Sequence, residues 1–133
     1  MDRADLWPRA ARFVLLGQGW LYVVTGLWPV VHLGSFELIT GEKYDDFLVH
    51  TVGLLLFVVG TVLLLAVHRN RLSAEVVAMA AGTALTLCLI DVVYFGNGRL
   101  PPIYLLDAVV EFIFCLVGLA SLLLQQRGRR EPC

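Results

Sequence analysis

Charged residues are scarce in this sequence. Lysine, arginine, aspartate and glutamate make up 16% of the 133 residues, whereas 59% of the residues are hydrophobic. An average soluble domain is about 25% charged and about 45–50% apolar. A chain this short keeps much of its surface in contact with solvent, and in water that surface needs polar residues. The composition therefore excludes an ordinary soluble enzyme and a disordered protein, and it predicts an integral membrane protein surrounded by the lipid bilayer.

An excess of positive charge is also lacking. The chain has 10 basic and 11 acidic residues, which gives a formal net charge of -1. We therefore expect no nucleic acid partner, because such partners are recruited by basic surfaces. With only three cysteines, the sequence also excludes a disulfide-framed secreted domain. Cys88 and Cys115 fall at different depths of the predicted helices, so we expect no disulfide between them.

Motifs that identify a reaction are absent as well. The sequence contains no glycine-rich phosphate loop, no H-E-x-x-H, no paired C-x-x-C and no nucleophile elbow. The substrate and any cofactor therefore stay unknown at this level, and enzymatic activity is not the favoured interpretation.

Four long apolar segments are present instead. Each has about 19–24 residues, and about 20 residues span the hydrocarbon core as an α-helix. Backbone polar groups cannot stay unpaired in lipid, so each segment is expected to be helical, and the short connections favour antiparallel neighbours. The first connection is the longest and is expected to contain a short interfacial turn. We predict an all-α integral membrane protein, a single domain over residues 1–133 that forms an antiparallel up-down bundle of four transmembrane helices at about 12–32, 46–68, 73–95 and 102–125.

Basic residues lie mostly on one side of this predicted bundle. Eight arginines flank one side, against two basic residues on the other. The positive-inside rule then predicts that both termini are cytoplasmic, in a plasma or inner membrane. A cleaved signal peptide is disfavoured, because the first apolar run is too long and no clear cleavage site follows it. The eight arginines are Arg3, Arg9, Arg12, Arg69, Arg71, Arg127, Arg129 and Arg130, and the other two basic residues are Lys43 and Arg99.

Three carboxylates interrupt the last two apolar segments. Asp107 and Glu111 are four residues apart and share a helix face, while Asp91 lies at a similar depth on the preceding helix. An ionisable side chain at the bilayer centre costs roughly 2.5–3.5 kcal/mol on insertion scales and normally faces the bundle interior or a water-filled cavity. No lysine or arginine lies at that depth in any predicted helix. We therefore expect the three carboxylates to hold at least one proton near neutral pH, or to bind a cation in its place.

Other polar residues fall near these carboxylates, mostly in the outer half of the predicted bundle. The spacing of polar residues along the first helix keeps them on one seam. Two histidines, His32 and His50, enter the same half, either as interfacial residues or as metal ligands. The candidate ligand- or proton-binding residues are Asp107, Glu111, Asp91, Tyr104, Tyr94, Tyr22 and Gln18.

Three interpretations follow from this pattern. In the first, the acidic outer pocket binds or translocates a cation, a proton or a small amphipathic ligand. In the second, the chain is a structural or accessory membrane subunit whose polar residues only bond helices together. In the third, it is a metal-dependent membrane enzyme that uses the histidines and carboxylates, although their spacing matches no known signature.

Small residues recur at helical spacing and indicate close helix contacts. Such spacing lets helix backbones approach each other, either within the bundle or in a homodimer. Gly19 and Gly26 are seven residues apart, as are Gly53 and Gly60, and Ala74, Ala78 and Gly82 recur at intervals of four.

Overall fold

A computed structural model describes residues 9–42 and 44–130. Over these residues the chain is all-helical, with five helices and no strand. Arg3 and Lys43, which entered the prediction of orientation above, lie outside the described residues. The helices are α1 (Arg9–Val31), α2 (Leu33–Thr40), α3 (Asp46–His68), α4 (Ala74–Gly96) and α5 (Ile103–Arg130).

The four long helices α1, α3, α4 and α5 are each long and apolar enough to cross a membrane. This confirms the prediction of an all-helical chain with four apolar spans. The helix ends differ slightly from the prediction, most clearly in α5, which continues to Arg130 through a polar last turn that contains Arg127, Arg129 and Arg130.

Side chains fix the starts of three helices. Asp45 accepts a hydrogen bond from the Leu48 backbone N–H at 3.1 Å, and Ser73 accepts one from Val76 N–H at 3.3 Å. These caps satisfy N–H groups that have no partner in the first helical turn. His32 caps α2 in the same way, because its Nδ1 accepts from Ser35 N–H at 3.0 Å. The first connection thus contains a short helix where the sequence indicated only a turn.

The long helices pack mainly in two pairs, α1 with α3 and α4 with α5. The backbones of α1 and α3 nearly touch: a Cβ on Gly53 would lie 2.5 Å from the Gly26 carbonyl oxygen, and a Cβ on Gly60 would lie 2.6 Å from the Gly19 carbonyl oxygen. These four glycines therefore belong to a contact within the chain. On α4, by contrast, Ala78 and Gly82 are exposed.

The two ends of the bundle differ in character. At one end, Arg12 donates hydrogen bonds to the Val67 carbonyl oxygen and to Asn70 Oδ1, next to the turn between α3 and α4. An apolar core closes this basic end, formed by Leu15, Leu63, Val67, Leu72, Val77 and Ala80. The opposite end carries α2, and the candidate site extends from this end towards the middle of the bundle.

Candidate functional site

A series of buried hydrogen bonds links three helices near the middle of the bundle. Gln18 and Tyr22 of α1 and Glu111 of α5 are each 1% exposed. The Tyr22 hydroxyl donates to Glu111 Oε2 at 2.7 Å. Gln18 Nε2 donates to Tyr22 Oη at 3.0 Å and to the Ala80 carbonyl oxygen of α4 at 2.8 Å. The structure thus brings these three predicted residues together, and their bonds fix α1 against α4 and α5.

Two further carboxyl groups lie beside this series of hydrogen bonds. Asp91 of α4 and Asp107 of α5 are within side-chain hydrogen-bonding reach of each other, and a hydrogen bond between two carboxyl groups forms only when one of them carries a proton. Asp91 is 6% exposed, and its Oδ2 is buried without a hydrogen-bond partner among the described residues. The Oε1 atom of Gln18 is also buried without a hydrogen-bond partner among the described residues. The site therefore holds more hydrogen-bond acceptors than donors.

The carboxylates border a cavity of about 410 Å³ between the helices. Small-molecule sites are commonly about 300–1,000 Å³, with mostly apolar walls and a few polar groups that orient the ligand. No lysine, arginine or histidine among the described residues lines this cavity. Its polar lining includes Tyr22, Tyr104, Asp91, Asp107 and Glu111, and its apolar lining includes Leu21, Trp28, Phe36, Ile39, Leu48, Val49, Val52, Leu56, Leu87 and Ile103.

The short helix α2 contributes part of the apolar wall through Phe36 and Ile39. Trp28 of α1 holds this helix, since its Nε1 donates to Ser35 Oγ at 2.9 Å and its ring meets Phe36 edge-on at 5.8 Å. The sequence alone did not predict this contact of Trp28. The only signal for α2 was the spacing of His32 and Ser35, which allows a cap.

Four candidate residues do not line the cavity. Gln18 is one of them, although it is hydrogen-bonded to Tyr22, which does line it. Tyr94 is 44% exposed and does not line it. His32 and His50 do not line it either, and His32 is engaged as the cap of α2. Over the part of the chain that the structure describes, no group of three histidine, cysteine or acidic side chains is placed to hold a metal ion. The geometry therefore does not support the metal-site interpretation of His32 and His50.

Comparison with known proteins adds no family assignment: no family model, no curated protein and no solved structure matches this chain. The function is therefore argued from the geometry of the site alone.

Proposed function

We propose that this chain is a polytopic membrane protein whose four long helices run antiparallel, up and down through the bilayer. The exposed apolar side chains support insertion, because soluble proteins rarely expose large apolar patches. The register of contacts supports the antiparallel arrangement: Gly19 and then Gly26 along α1 meet Gly60 and then Gly53 along α3. Examples of the exposed side chains are Phe13, Leu55, Leu106, Phe112 and Leu123, which are 53–73% exposed.

The proposed orientation places both termini in the cytoplasm of a plasma or inner membrane. The described arginines at the basic end support it through the positive-inside rule. In a variant without native cysteines, we expect Glu42→Cys, in the connection after α2, to react with an impermeant thiol reagent in intact cells. We expect Arg71→Cys, in the turn before α4, to react only after the membrane is permeabilised. The reverse pattern would overturn the orientation.

Within this frame, we propose that the cavity binds a small amphipathic molecule. Its apolar part would lie against the wall formed with α2, and its polar or cationic headgroup would lie at Asp91, Asp107 and Glu111. This proposal depends on one observation: the cavity is mostly apolar, three carboxylates line it, and none of its described lining residues is basic. Glu111 lies eight residues into α5, about 12 Å along the helix axis and close to the bilayer midplane. A carboxylate at that depth is normally retained for function.

A structural role is the second candidate, and the hydrogen bonds of Gln18, Tyr22 and Glu111 favour it, since they join α1, α4 and α5. The two roles differ in what they require at Asp107. Ligand binding requires that the Asp107 side chain face an accessible cavity, whereas a structural role requires only a bonded neighbour.

Accessibility to water separates the two candidates. In the same cysteine-free variant, we expect Asp107→Cys to react with a small water-soluble methanethiosulfonate added from the outer side, because thiolates form and react in water. Leu106→Cys is the matched control, since Leu106 is 66% exposed on the apolar surface and would face lipid. Equal inertness of both positions would refute an accessible cavity.

A further inference from the structure

The side chains of Tyr22 and Gln18 beside the cavity already use their hydrogen-bond donors. The Tyr22 hydroxyl donates to Glu111, and the Gln18 amide donates to Tyr22 and to the backbone of α4. Asp91 lines the cavity, is only 6% exposed, and has an Oδ2 atom that has no donor among the described residues while Asp91 and Asp107 are both ionised. A buried acceptor without a donor is destabilising, so a ligand that supplies a donor gains affinity here.

The excess of hydrogen-bond acceptors over donors at the site indicates the chemistry of the headgroup. Carboxylates are acceptors only, whereas a protonated primary amine carries three N–H donors. A quaternary ammonium has the same charge but donates no hydrogen bond. Hydrogen bonds between charged partners are roughly twice as strong as neutral ones, so the site discriminates between two cations of equal charge.

We propose that the ligand of this cavity is a lipophilic amine whose protonated headgroup donates N–H bonds to Asp91 and Asp107. Its hydrocarbon part lies along the apolar wall towards Phe36 and Ile39 of α2. This inference rests on the proposed function, because it names the ligand class of the same cavity. It adds a requirement that the proposed function does not contain, namely that the headgroup be a hydrogen-bond donor.

The test compares three probes of equal chain length on the full-length protein in lipid nanodiscs. Octylamine, octyltrimethylammonium and octanol are titrated, and binding is measured by calorimetry against empty nanodiscs. We expect octylamine to bind the wild-type protein at least about tenfold more tightly than either other probe, since one charge-assisted hydrogen bond changes affinity by about that factor. This comparison needs no variant and does not depend on the folding of one.

The variant Asp91→Asn then assigns the preference to a residue. We expect it to reduce the octylamine preference to less than about threefold, whereas Glu75→Gln, which removes an exposed carboxylate of α4 outside the cavity, leaves the preference unchanged. Equal binding of octylamine and octyltrimethylammonium by the wild type would overturn the amine proposal and leave the proposed function standing. Absence of binding by all three probes would overturn both.

Discussion

Replacing Gly53 with alanine is expected to lower the free energy of unfolding by about 1–3 kcal/mol, the usual range for overpacking a tight contact. The added Cβ would lie 2.5 Å from the Gly26 carbonyl oxygen, which is backbone and cannot rotate away. The two helices must therefore separate, and the contacts along the whole pair weaken. Gly60→Ala is expected to act in the same way, and because its Cβ would lie 2.9 Å from Tyr22 Cβ, it also displaces a residue of the site.

The matched control is Gly82→Ala on α4, where an added Cβ would meet no atom within 4 Å. Alanine is favoured over glycine in a helix interior by about 1 kcal/mol, so this variant is expected to be neutral or slightly more stable. Unfolding in mixed micelles, followed by steric trapping or thermal melting, measures the difference. Equal stabilities of Gly53→Ala and Gly82→Ala would contradict the close α1–α3 contact.

The long helices were predictable from the sequence because their signal is local. Apolar runs of about 20 residues require a helix in lipid whatever surrounds them. The recurring glycines likewise indicated close helix contacts, but only the three-dimensional arrangement assigns Gly19, Gly26, Gly53 and Gly60 to the pair of α1 and α3. Helix α2 was missed because eight residues, Leu33–Thr40, carry too little periodicity to distinguish a helix from a turn.

The candidate site was predictable only in part, for a reason of geometry. The spacing of Asp107 and Glu111 predicted that they share one helix face. The cost of placing a carboxylate in lipid predicted that this face is turned towards the bundle interior. Tyr94 was predicted to belong to the site and follows Asp91 by three residues, but three residues turn a helix by about 300° and leave the two side chains roughly 60° apart. His32 was predicted to be either an interfacial residue or a metal ligand, and its role as a cap was not predicted because it depends on the helix α2 that follows it.

Replacing Asp107 and Glu111 with their amides is expected to weaken ligand binding strongly while the fold persists. Asp107→Asn and Glu111→Gln keep the size of each side chain, and the amide carbonyl introduced by Glu111→Gln can still accept the hydrogen bond that Tyr22 now donates to Glu111. The change in unfolding free energy should therefore stay within about 1 kcal/mol, near the value of a single hydrogen bond. Two of the three carboxylates that hold a cationic headgroup are lost, and only Asp91 remains. If the carboxylates only joined helices, the melting temperature would change and binding would not.

The most direct test measures by calorimetry how octylamine and octyltrimethylammonium bind the protein in nanodiscs from pH 5 to pH 9. The wild type is compared with the double variant Asp107→Asn/Glu111→Gln. Glu75→Gln serves as the control for loss of a carboxylate outside the cavity. We predict that the wild type and Glu75→Gln bind at least one probe in a saturable, pH-dependent way. We predict that the double variant binds at least about a hundredfold more weakly, as expected for the loss of roughly 3 kcal/mol of charge-assisted hydrogen bonding. Binding by the double variant that equals that of the wild type across this pH range would contradict the assignment of Asp107 and Glu111 as the functional centre.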